Sequence, residues 1–356
     1  MAFKTALILA AIAQLLAAGL ALRINLRYRI YSAWFLLSAA ASVGAIMRLT
    51  TLSEVWTENP TLYSDRTLWL SAIASLLASI LLLGGMALIE PFFIRISEAE
   101  KTLRQEHRQL ATIVQATEEE LKLAQRIQKR LLPSSDVQLP HVDVYGQSLA
   151  AEWTSGDYFD YLPLRGGETA VVVADVCGHG LGPALLMSST RASLRGLSPT
   201  QADVGELLTH GNRAVVDCVS ASEFVTVFAA RYDSLKRTLH YAGAGHVAYL
   251  LRSDGTGHLL EAQTPPLGIL PELTVETQQL PDIETGEILI LVTDGILELR
   301  NSTEEMFGES RLLQTINDSR HATAKAIVDD LIAAATRFAN GRVQQDDITV
   351  VIMKIS

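Results

Sequence analysis

The sequence is poor in cysteine. Only two cysteines, Cys177 and Cys218, occur among its 356 residues. Two cysteines exclude a disulfide scaffold and the multi-cysteine sites that bind structural zinc. So low a cysteine content is also typical of a domain kept in a reducing compartment.

Positive charge is scarce in the C-terminal part of the chain. Residues 133–356 hold 15 Lys and Arg against 29 Asp and Glu, whereas residues 1–132 hold 14 against 10. A nucleic-acid-binding surface needs a basic footprint, so we expect no nucleic acid partner. The acidity has two interpretations. It serves solubility, or some of the carboxylates form a cluster that binds divalent cations.

Three segments near the N-terminus contain no charged residue. They cover residues 5–22, 30–47 and 68–89. Each is close to the ~20 residues that a helix needs to cross the hydrocarbon core, and none has the polar face of a soluble helix. We therefore predict a three-helix transmembrane region over residues 1–91. The first segment has a second interpretation, a cleaved signal peptide preceded by a short basic region.

The charges between these segments predict their orientation. Residues 23–29 hold three arginines, which belong on the cytoplasmic side of a membrane. The next loop carries Glu54, Glu58 and Asp65 against Arg66 and should face outward. The third segment then returns the chain to the cytoplasm, so the C-terminal domain is expected there.

Residues 92–132 are predicted to form one long helical linker that ends before Pro133. Apolar or small residues recur on a seven-residue repeat, at Leu110, Thr117, Ala124 and Leu131, with Ile113 and Ile127 between them. Glu106 and Glu120 interrupt this seam, so a coiled coil built on it would be marginal. Two interpretations remain open: a parallel homodimer, or an amphipathic helix packed on its own domain.

Beyond Pro133 the pattern changes to short strands and a few helices. Strands are predicted at 142–149, 158–164, 169–176, 224–232, 239–242, 247–252, 275–280, 288–292 and 348–355, and helices at 183–197, 202–219, 310–316 and 323–338. Strands followed by helices and then by more strands indicate an α+β domain rather than a doubly wound parallel sheet. We assign this domain to residues 133–356.

Aspartates mark the ends of several of these strands. Asp157 follows a glycine, Asp175 ends an apolar run, Asp294 precedes a glycine, and the Asp346-Asp347 pair precedes the last strand. One Asp beside a glycine usually marks a turn, but four such sites in one domain could converge at one sheet edge. Gathered carboxylates raise each other's pKa, and divalent cations remove that penalty. Oxygen ligands of this kind suit Mg²⁺ or Mn²⁺, and two such ions support in-line attack of water on a phosphoryl group.

Seven stretches of the chain together resemble the SpoIIE/RsbU-type branch of the PPM metal-dependent protein serine/threonine phosphatases. They are LAQRIQKRLLP at 123–133, GDYFD at 156–160, DVCGHG at 175–180, AGH at 244–246, PLG at 266–268, TDGILE at 293–298 and DDITV at 346–350. The resemblance implies an α-β-β-α sandwich that follows the helical membrane region and linker.

The resemblance also implies the roles of individual residues. Asp157 and Asp175 would bind two Mn²⁺ or Mg²⁺ ions beside the backbone carbonyl of Val176, and Asp294 and Asp346 would hold the metals from the other side. These four aspartates are the candidate catalytic residues, and a metal-bridged water would attack phosphorus.

A second tier of candidates lies in the same motifs: Asp160, Gly178, His179 and Asp347. His179 either donates a proton to the leaving serine oxygen or has a structural role at a helix start. A Cys177/His179 zinc pair is disfavoured, because no other soft ligand is evident. We interpret His246 as a hydrogen-bonded structural histidine.

The expected substrate is a phosphorylated protein. The resemblance implies phosphoserine or phosphothreonine on a STAS-domain anti-sigma-factor antagonist. The apolar segments and the arginines between them predict a multi-pass protein of the bacterial inner membrane with a cytoplasmic catalytic domain. Two alternatives stay open: a catalytically silent module of the same fold that captures a partner, and a two-metal hydrolase of small phosphoesters.

Overall fold

The computed structural model describes residues 2–28, 33–57, 66–133, 137, 139–220 and 222–356. The chain divides into two compact units, Met1–Gln115 and Ala116–Ser356. We describe each unit by itself.

The N-terminal unit is entirely helical. It contains α1 (Ala2–Tyr28), α2 (Ala33–Thr57) and the first part of α3 (Arg66–Lys129). The helices pack through buried small side chains at Ala10, Ala11, Ala17, Ala21, Ala41 and Ala45. At Gly44 the approach is so close that a Cβ atom would lie 2.8 Å from the Gln14 amide. Small residues therefore allow the helix backbones to come together.

Two helices among the described residues are long and apolar enough to cross a membrane. They are Lys4–Ile24, with a mean hydropathy of 2.2, and Leu76–Lys129, with 2.0 in its most apolar window. They correspond to the first and third predicted segments. The second predicted segment, 30–47, begins outside the described residues, and its remainder lies in α2.

Helix α3 contains both the third apolar segment and most of the predicted linker. It is continuous over 64 residues and includes Pro91, so the third apolar segment and the linker are one helix. The predicted linker end at residue 132 is too late, because α3 ends at Lys129. There the Arg130 amide donates to the Ile127 carbonyl at 3.0 Å, and these shorter i→i+3 bonds close the last turn.

The C-terminal unit is built from two antiparallel sheets of five strands. One sheet has the order β1-β10-β9-β6-β7 and the other β2-β3-β4-β5-β8. The strands are β1 (Val142–Leu149), β2 (Asp157–Pro163), β3 (Thr169–Val176), β4 (Val225–Asp233), β5 (Thr238–Ala244), β6 (Ala248–Leu251), β7 (Gly257–Leu260), β8 (Gln278–Leu280), β9 (Ile288–Val292) and β10 (Ile348–Ile355).

Helices cover the outer face of each sheet. They are α4 (Leu181–Leu197), α5 (Val204–Val216), α6 (Asp294–Leu297), α7 (Gly308–Asp318) and α8 (Ala324–Ala339). Helices α4 and α5 pack on the β2–β3–β4 side, and α8 packs on β1 and β10. This arrangement confirms the predicted α+β fold with its α-β-β-α layers.

Strand β3 shows why its sequence is apolar throughout. Val171 and Val173 face the opposite sheet, and Val172 and Ala174 face the helices, so both faces are buried. Strands β3, β9 and β10 are buried on both faces and have the predicted bounds, as does the less buried β1. Strand β2 is also buried but begins and ends one residue earlier than predicted. Strand β7 escaped prediction because three of its four residues are exposed.

The predicted strand at 275–280 begins late, at Gln278. Its first residue has a different partner, since the Val275 amide donates to the Thr209 hydroxyl at 2.9 Å on α5. Predicted helix 202–219 is likewise shorter, because the Asp203 carboxylate caps α5 by accepting from the Gly205 and Glu206 amides.

Candidate active site

Two aspartates stand opposite each other at one end of the second sheet. Asp157 begins β2, and the antiparallel register pairs it with Asp175 near the end of β3. Side chains directly opposite in an antiparallel pair lie on the same face, about 5 Å apart at Cβ, and like charges there repel. The strand pairing therefore brings together two carboxylates that destabilise each other when both are ionised.

Burial adds to this repulsion. The Asp157 side chain is buried, and this burial, followed by the charge of Asp175, raises its pKa well above the usual range. The Thr293 hydroxyl donates to Asp157 Oδ2 at 2.8 Å, which partly offsets the shift. Burial also raises the pKa of Asp175 to about 7, and the charges of Asp294 and Asp346 contribute.

The other two candidate ligands come from the first sheet. Asp294 begins α6 directly after β9, and Asp346 lies in the loop before β10. These two strands are neighbours, and the Thr293 amide donates to the Thr349 carbonyl at 3.1 Å. Burial raises the pKa of Asp294, and the charges of Asp346 and Glu298 add to the shift. Each sheet thus contributes two carboxylates to one electrostatic centre.

These residues fit divalent cations. The described residues contain no group of three or more His, Cys, Asp and Glu already arranged around one metal position. The donors are nevertheless all oxygens, the ligands that Mg²⁺ and Mn²⁺ prefer, and a cation would remove the repulsion that raises their pKa values. A Cβ atom at Gly156 would lie 2.9 Å from the Val176 carbonyl oxygen. The glycine therefore leaves that oxygen accessible as a further ligand.

Asp347 braces the loop that leads to Asp157. Its side chain is buried, and both carboxylate oxygens accept backbone bonds, from the Ala151 amide at 2.8 Å and the Gly156 amide at 2.7 Å. The chain is also tightly packed around its carbonyl, because a Cβ at Gly295 would lie 2.0 Å from that oxygen. The adjacent aspartates at 346 and 347 thus have different surroundings.

Asp160 lies on the opposite face of β2 from Asp157. It is fully buried and accepts hydrogen bonds from the Tyr158 hydroxyl at 2.7 Å and from Nε of Arg195 at 2.9 Å. A second contact joins Arg195 Nη2 to the other oxygen, and Arg191 lies 3.9 Å away. Two arginines of α4 therefore already pair with Asp160, a second-tier candidate.

The loop between β3 and α4 carries His179 between two glycines in the left-handed region. Gly178 has φ +86° and Gly180 has φ +95°. The His179 ring approaches Glu152 through Nδ1, at 3.2 Å from Oε1. The neighbouring Cys177 sulfur accepts a bond from the Phe224 amide at 3.2 Å, which lends no support to a Cys177/His179 zinc pair.

His246 connects the two sheets behind the carboxylates. Its Nε2 lies 3.0 Å from the Val292 carbonyl, so it carries the proton, and Nδ1 accepts from the Thr226 hydroxyl at 3.0 Å. Burial lowers its pKa to about 4, so the ring is neutral. Both nitrogens have partners, which agrees with the structural interpretation of this residue.

Sequence reasoning missed three contributors to this site. Thr293 binds Asp157, and Glu152 contacts His179. Gln128, near the end of α3, binds the backbone of Ser155 twice: its Nε2 donates to the carbonyl at 2.6 Å and its Oε1 accepts from the amide at 2.9 Å. None of these residue types signals chemistry by itself, and only the fold brings them to the aspartates.

Comparison with known proteins places this chain in a family. The family model described as stage II sporulation protein E (SpoIIE) matches residues 165–356. The phosphoserine phosphatase RsbU of Bacillus subtilis (strain 168) is 30% identical over 266 residues, covering 74% of this chain and 78% of RsbU. The phosphoserine phosphatase RsbP of the same organism is 31% identical over 188 residues, covering 51% of this chain and 46% of RsbP.

A solved structure supports the fold. The SiaA-PP2C domain of Pseudomonas aeruginosa superimposes with a TM-score of 0.61 at 22% identity, covering 68% of this chain and 98% of that domain. At this identity the likeness concerns the architecture alone.

Proposed function

Because the chain belongs to the SpoIIE family of PP2C-type protein phosphatases, we propose that it is a membrane-anchored, metal-dependent enzyme acting on phosphoserine or phosphothreonine of a regulatory protein. The observation that carries this proposal is the opposed Asp157–Asp175 pair, in which Asp157 is buried and Asp175 half-buried, without a cationic partner among the described residues. Such a pair has a clear use in binding cations and little use in folding.

The chain's own residues would have distinct tasks. Asp157, Asp175, Asp294 and Asp346, with the Val176 carbonyl, would hold two Mg²⁺ or Mn²⁺ ions. When bound, these ions supply an activated water and positive charge for the phosphoryl oxygens.

The surrounding groups keep the ligands in place. Thr293 orients Asp157 through its hydroxyl. Gln128 fixes the backbone of Ser155, and Asp347 fixes the amides of Ala151 and Gly156 on either side of it. His179 would provide a proton for the departing serine oxygen.

The metal requirement can be tested on the full-length protein in detergent. We expect turnover of p-nitrophenyl phosphate and of a phosphoserine protein with Mn²⁺ or Mg²⁺, reversible loss with EDTA, and little turnover of nucleotides. Inactivity on every phosphoester with either metal would instead support a silent partner-binding module. A preference for nucleotides would support a small-phosphoester hydrolase.

The substrate is proposed to be a STAS-domain anti-sigma-factor antagonist. Support comes from the relatives named phosphoserine phosphatases and from the motifs of this chain that resemble the family. Phosphoproteomics of a deletion strain against wild type tests the proposal: phosphate should persist on a serine or threonine of a STAS-domain protein. Unchanged phosphorylation of all such proteins would refute this substrate.

Anchoring in the bacterial inner membrane is proposed from the helices Lys4–Ile24 and Leu76–Lys129. A reporter fused after Ile96 should be cytoplasmic, and one inserted near Pro60 should be external, because the arginines at 23–29 favour the inner side. An external signal from the Ile96 fusion would contradict the three-span topology.

The helical linker is proposed to form a homodimer that regulates the enzyme. Leu110 and Ile113 are 59% and 61% exposed, and Ile127 is also exposed on the seven-residue repeat. Apolar side chains on such a repeat favour pairing with a second copy. Replacing the membrane region with a strong parallel zipper in several helical phases should give phase-dependent activity. Equal activity in all phases would indicate a passive spacer.

A further inference from the structure

Glu152 contacts His179 in the loop that follows the candidate ligands Asp175 and Val176. The Glu152 Oε1 atom lies 3.2 Å from His179 Nδ1, and its other oxygen lies 4.0 Å from where a Cβ of Gly180 would be. The carboxylate therefore lies against the glycine-flanked loop. An inference from this contact rests on the proposed phosphatase function and concerns how that reaction ends.

The loop that presents Glu152 is braced on both sides. Before it, the Ala151 amide donates to Asp347 at 2.8 Å; after it, Gln128 binds both backbone groups of Ser155. On the other side of the contact, His179 follows the candidate ligand Val176 by three residues. A braced loop thus holds a carboxylate against a histidine that lies beside the candidate metal ligands.

The contact bears on which ring nitrogen is available. A carboxylate can only accept, so a hydrogen bond across this 3.2 Å approach would place a proton on His179 Nδ1 and leave Nε2 for exchange with substrate. The contact therefore holds the ring by Nδ1 and leaves Nε2 as the nitrogen that would exchange a proton with substrate.

We infer that Glu152 is a positioning residue that holds His179 with Nε2–H directed at the departing serine oxygen. As water adds to phosphorus, the Oγ–P bond breaks and its electron pair stays on Oγ. Oγ takes the Nε2 proton, which leaves a neutral ring protonated at Nδ1. The proton lost by the attacking water passes to solvent, and solvent reprotonates Nε2.

The contact is not required for folding. The His179 and Glu152 side chains are 66% and 54% exposed, and exposed ion pairs contribute little to stability. Variants at either position should therefore fold, so kinetic changes can be interpreted directly.

The test compares two leaving groups in the full-length enzyme with Mn²⁺. Serine alkoxide needs a proton to depart, whereas p-nitrophenolate does not. Glu152→Ala should lower kcat on a phosphoserine peptide about 10-fold with little change in KM, and His179→Asn about 100-fold, within the usual range for general acid catalysis. Both variants should lose much less on p-nitrophenyl phosphate. Glu152→Gln, which keeps an acceptor but no charge, should recover part of the loss.

A double variant separates positioning from a general structural effect. In the His179→Asn background, Glu152→Ala should cause no further loss, because the group it positions is gone. Glu276→Ala, at an exposed glutamate outside the site, serves as the matched control and should retain wild-type rates.

Equal losses on the two substrates, or multiplicative losses in the double variant, would overturn the inference while leaving the phosphatase function intact. Wild-type inactivity on both substrates would overturn the function and the inference together.

Discussion

The two faces of strand β2 each carry a buried aspartate, and the charges around these two side chains are of opposite sign. Asp157 and Asp160 are 2% and 0% exposed and lie three residues apart. Asp160 faces Arg195 and Arg191 of α4, whereas Asp157 faces Asp175. A buried charge is tolerated only when it is paired, and the protein itself provides the pairing on one face. On the other face we propose that a bound cation provides the pairing, so that one aspartate would serve the fold and the other the reaction.

The largest expected effect comes from removing charge on the ligand face. Asp157→Asn and Asp175→Asn should each lower activity about 100-fold or more, because each removes charge needed to hold the metals and the transition state. Folding should hardly change, since the repulsion between the two side chains is relieved. Activity with Mn²⁺ and urea unfolding measure both effects, with Asp330→Asn at an exposed helical position as control. Activity above a tenth of wild type in both variants would contradict these assignments.

The same substitution on the helix face should act on stability instead. Asp160→Asn removes the charge that pairs with Arg195, whose side chain is 42% exposed and can still be solvated, so it should cost about 1–3 kcal/mol in the free energy of unfolding. Urea unfolding gives this value, and activity per folded molecule should be retained. Replacing Arg195 by Met in the same chain should recover part of the loss. A stable but inactive Asp160→Asn enzyme would show that Asp160 takes part in the reaction, which would contradict the contrast between the two faces of β2.

The next effect concerns pH. The pKa of Asp175 is raised to about 7, so in the metal-free protein this carboxyl stays protonated below that pH. The stability that its retained proton contributes to the fold is lost as pH rises through about 7. Metal must displace the proton. Mn²⁺ affinity should therefore rise with pH up to about 7 and then level off. Calorimetry from pH 5.5 to 8 measures this rise, which Asp175→Asn should flatten and Asp160→Asn should not. An unchanged slope in Asp175→Asn would assign the proton to another group.

His246 should give the smallest effect and the opposite sign. Its folded pKa of about 4 lies below the usual value, so its stabilisation is present above about pH 6.5 and is lost as pH falls toward 4. Between pH 7 and 5 this loss amounts to about 2 kcal/mol. It appears as the difference in unfolding free energy between wild type and His246→Gln, both measured with EDTA. Identical pH dependence in the two proteins would contradict a neutral buried ring.

The contrast on β2 also shows how far the sequence could predict the site. The glycine-flanked strand ends predicted that Asp157, Asp175, Asp294 and Asp346 could meet, and the structure brings their charges together. The sequence alone does not say whether Asp160 is a ligand or a salt-bridge partner. That depends on which face of the strand meets α4, a property of packing rather than of local pattern.

Adjacent identical residues show the same limit. In the Asp346-Asp347 pair, one side chain is exposed and the other is buried on two backbone amides almost 200 positions earlier in the chain. Gln128 and Glu152 were likewise invisible as contributors, because their partners are set by tertiary contacts. The bounds of β3, β9 and β10 were predictable to the residue, since their apolar runs depend less on distant partners.

The tight packing around Gly295 predicts which mutations a genetic screen would recover. It follows the candidate ligand Asp294, and any side chain there would collide with the Asp347 carbonyl, 2.0 Å from its Cβ position. Backbone cannot yield as a flexible side chain does, so the start of β10 would have to move, and the Asp347 carboxylate with it. Mutations of this uncharged residue should therefore be recovered among loss-of-function alleles, alongside those of the aspartates themselves.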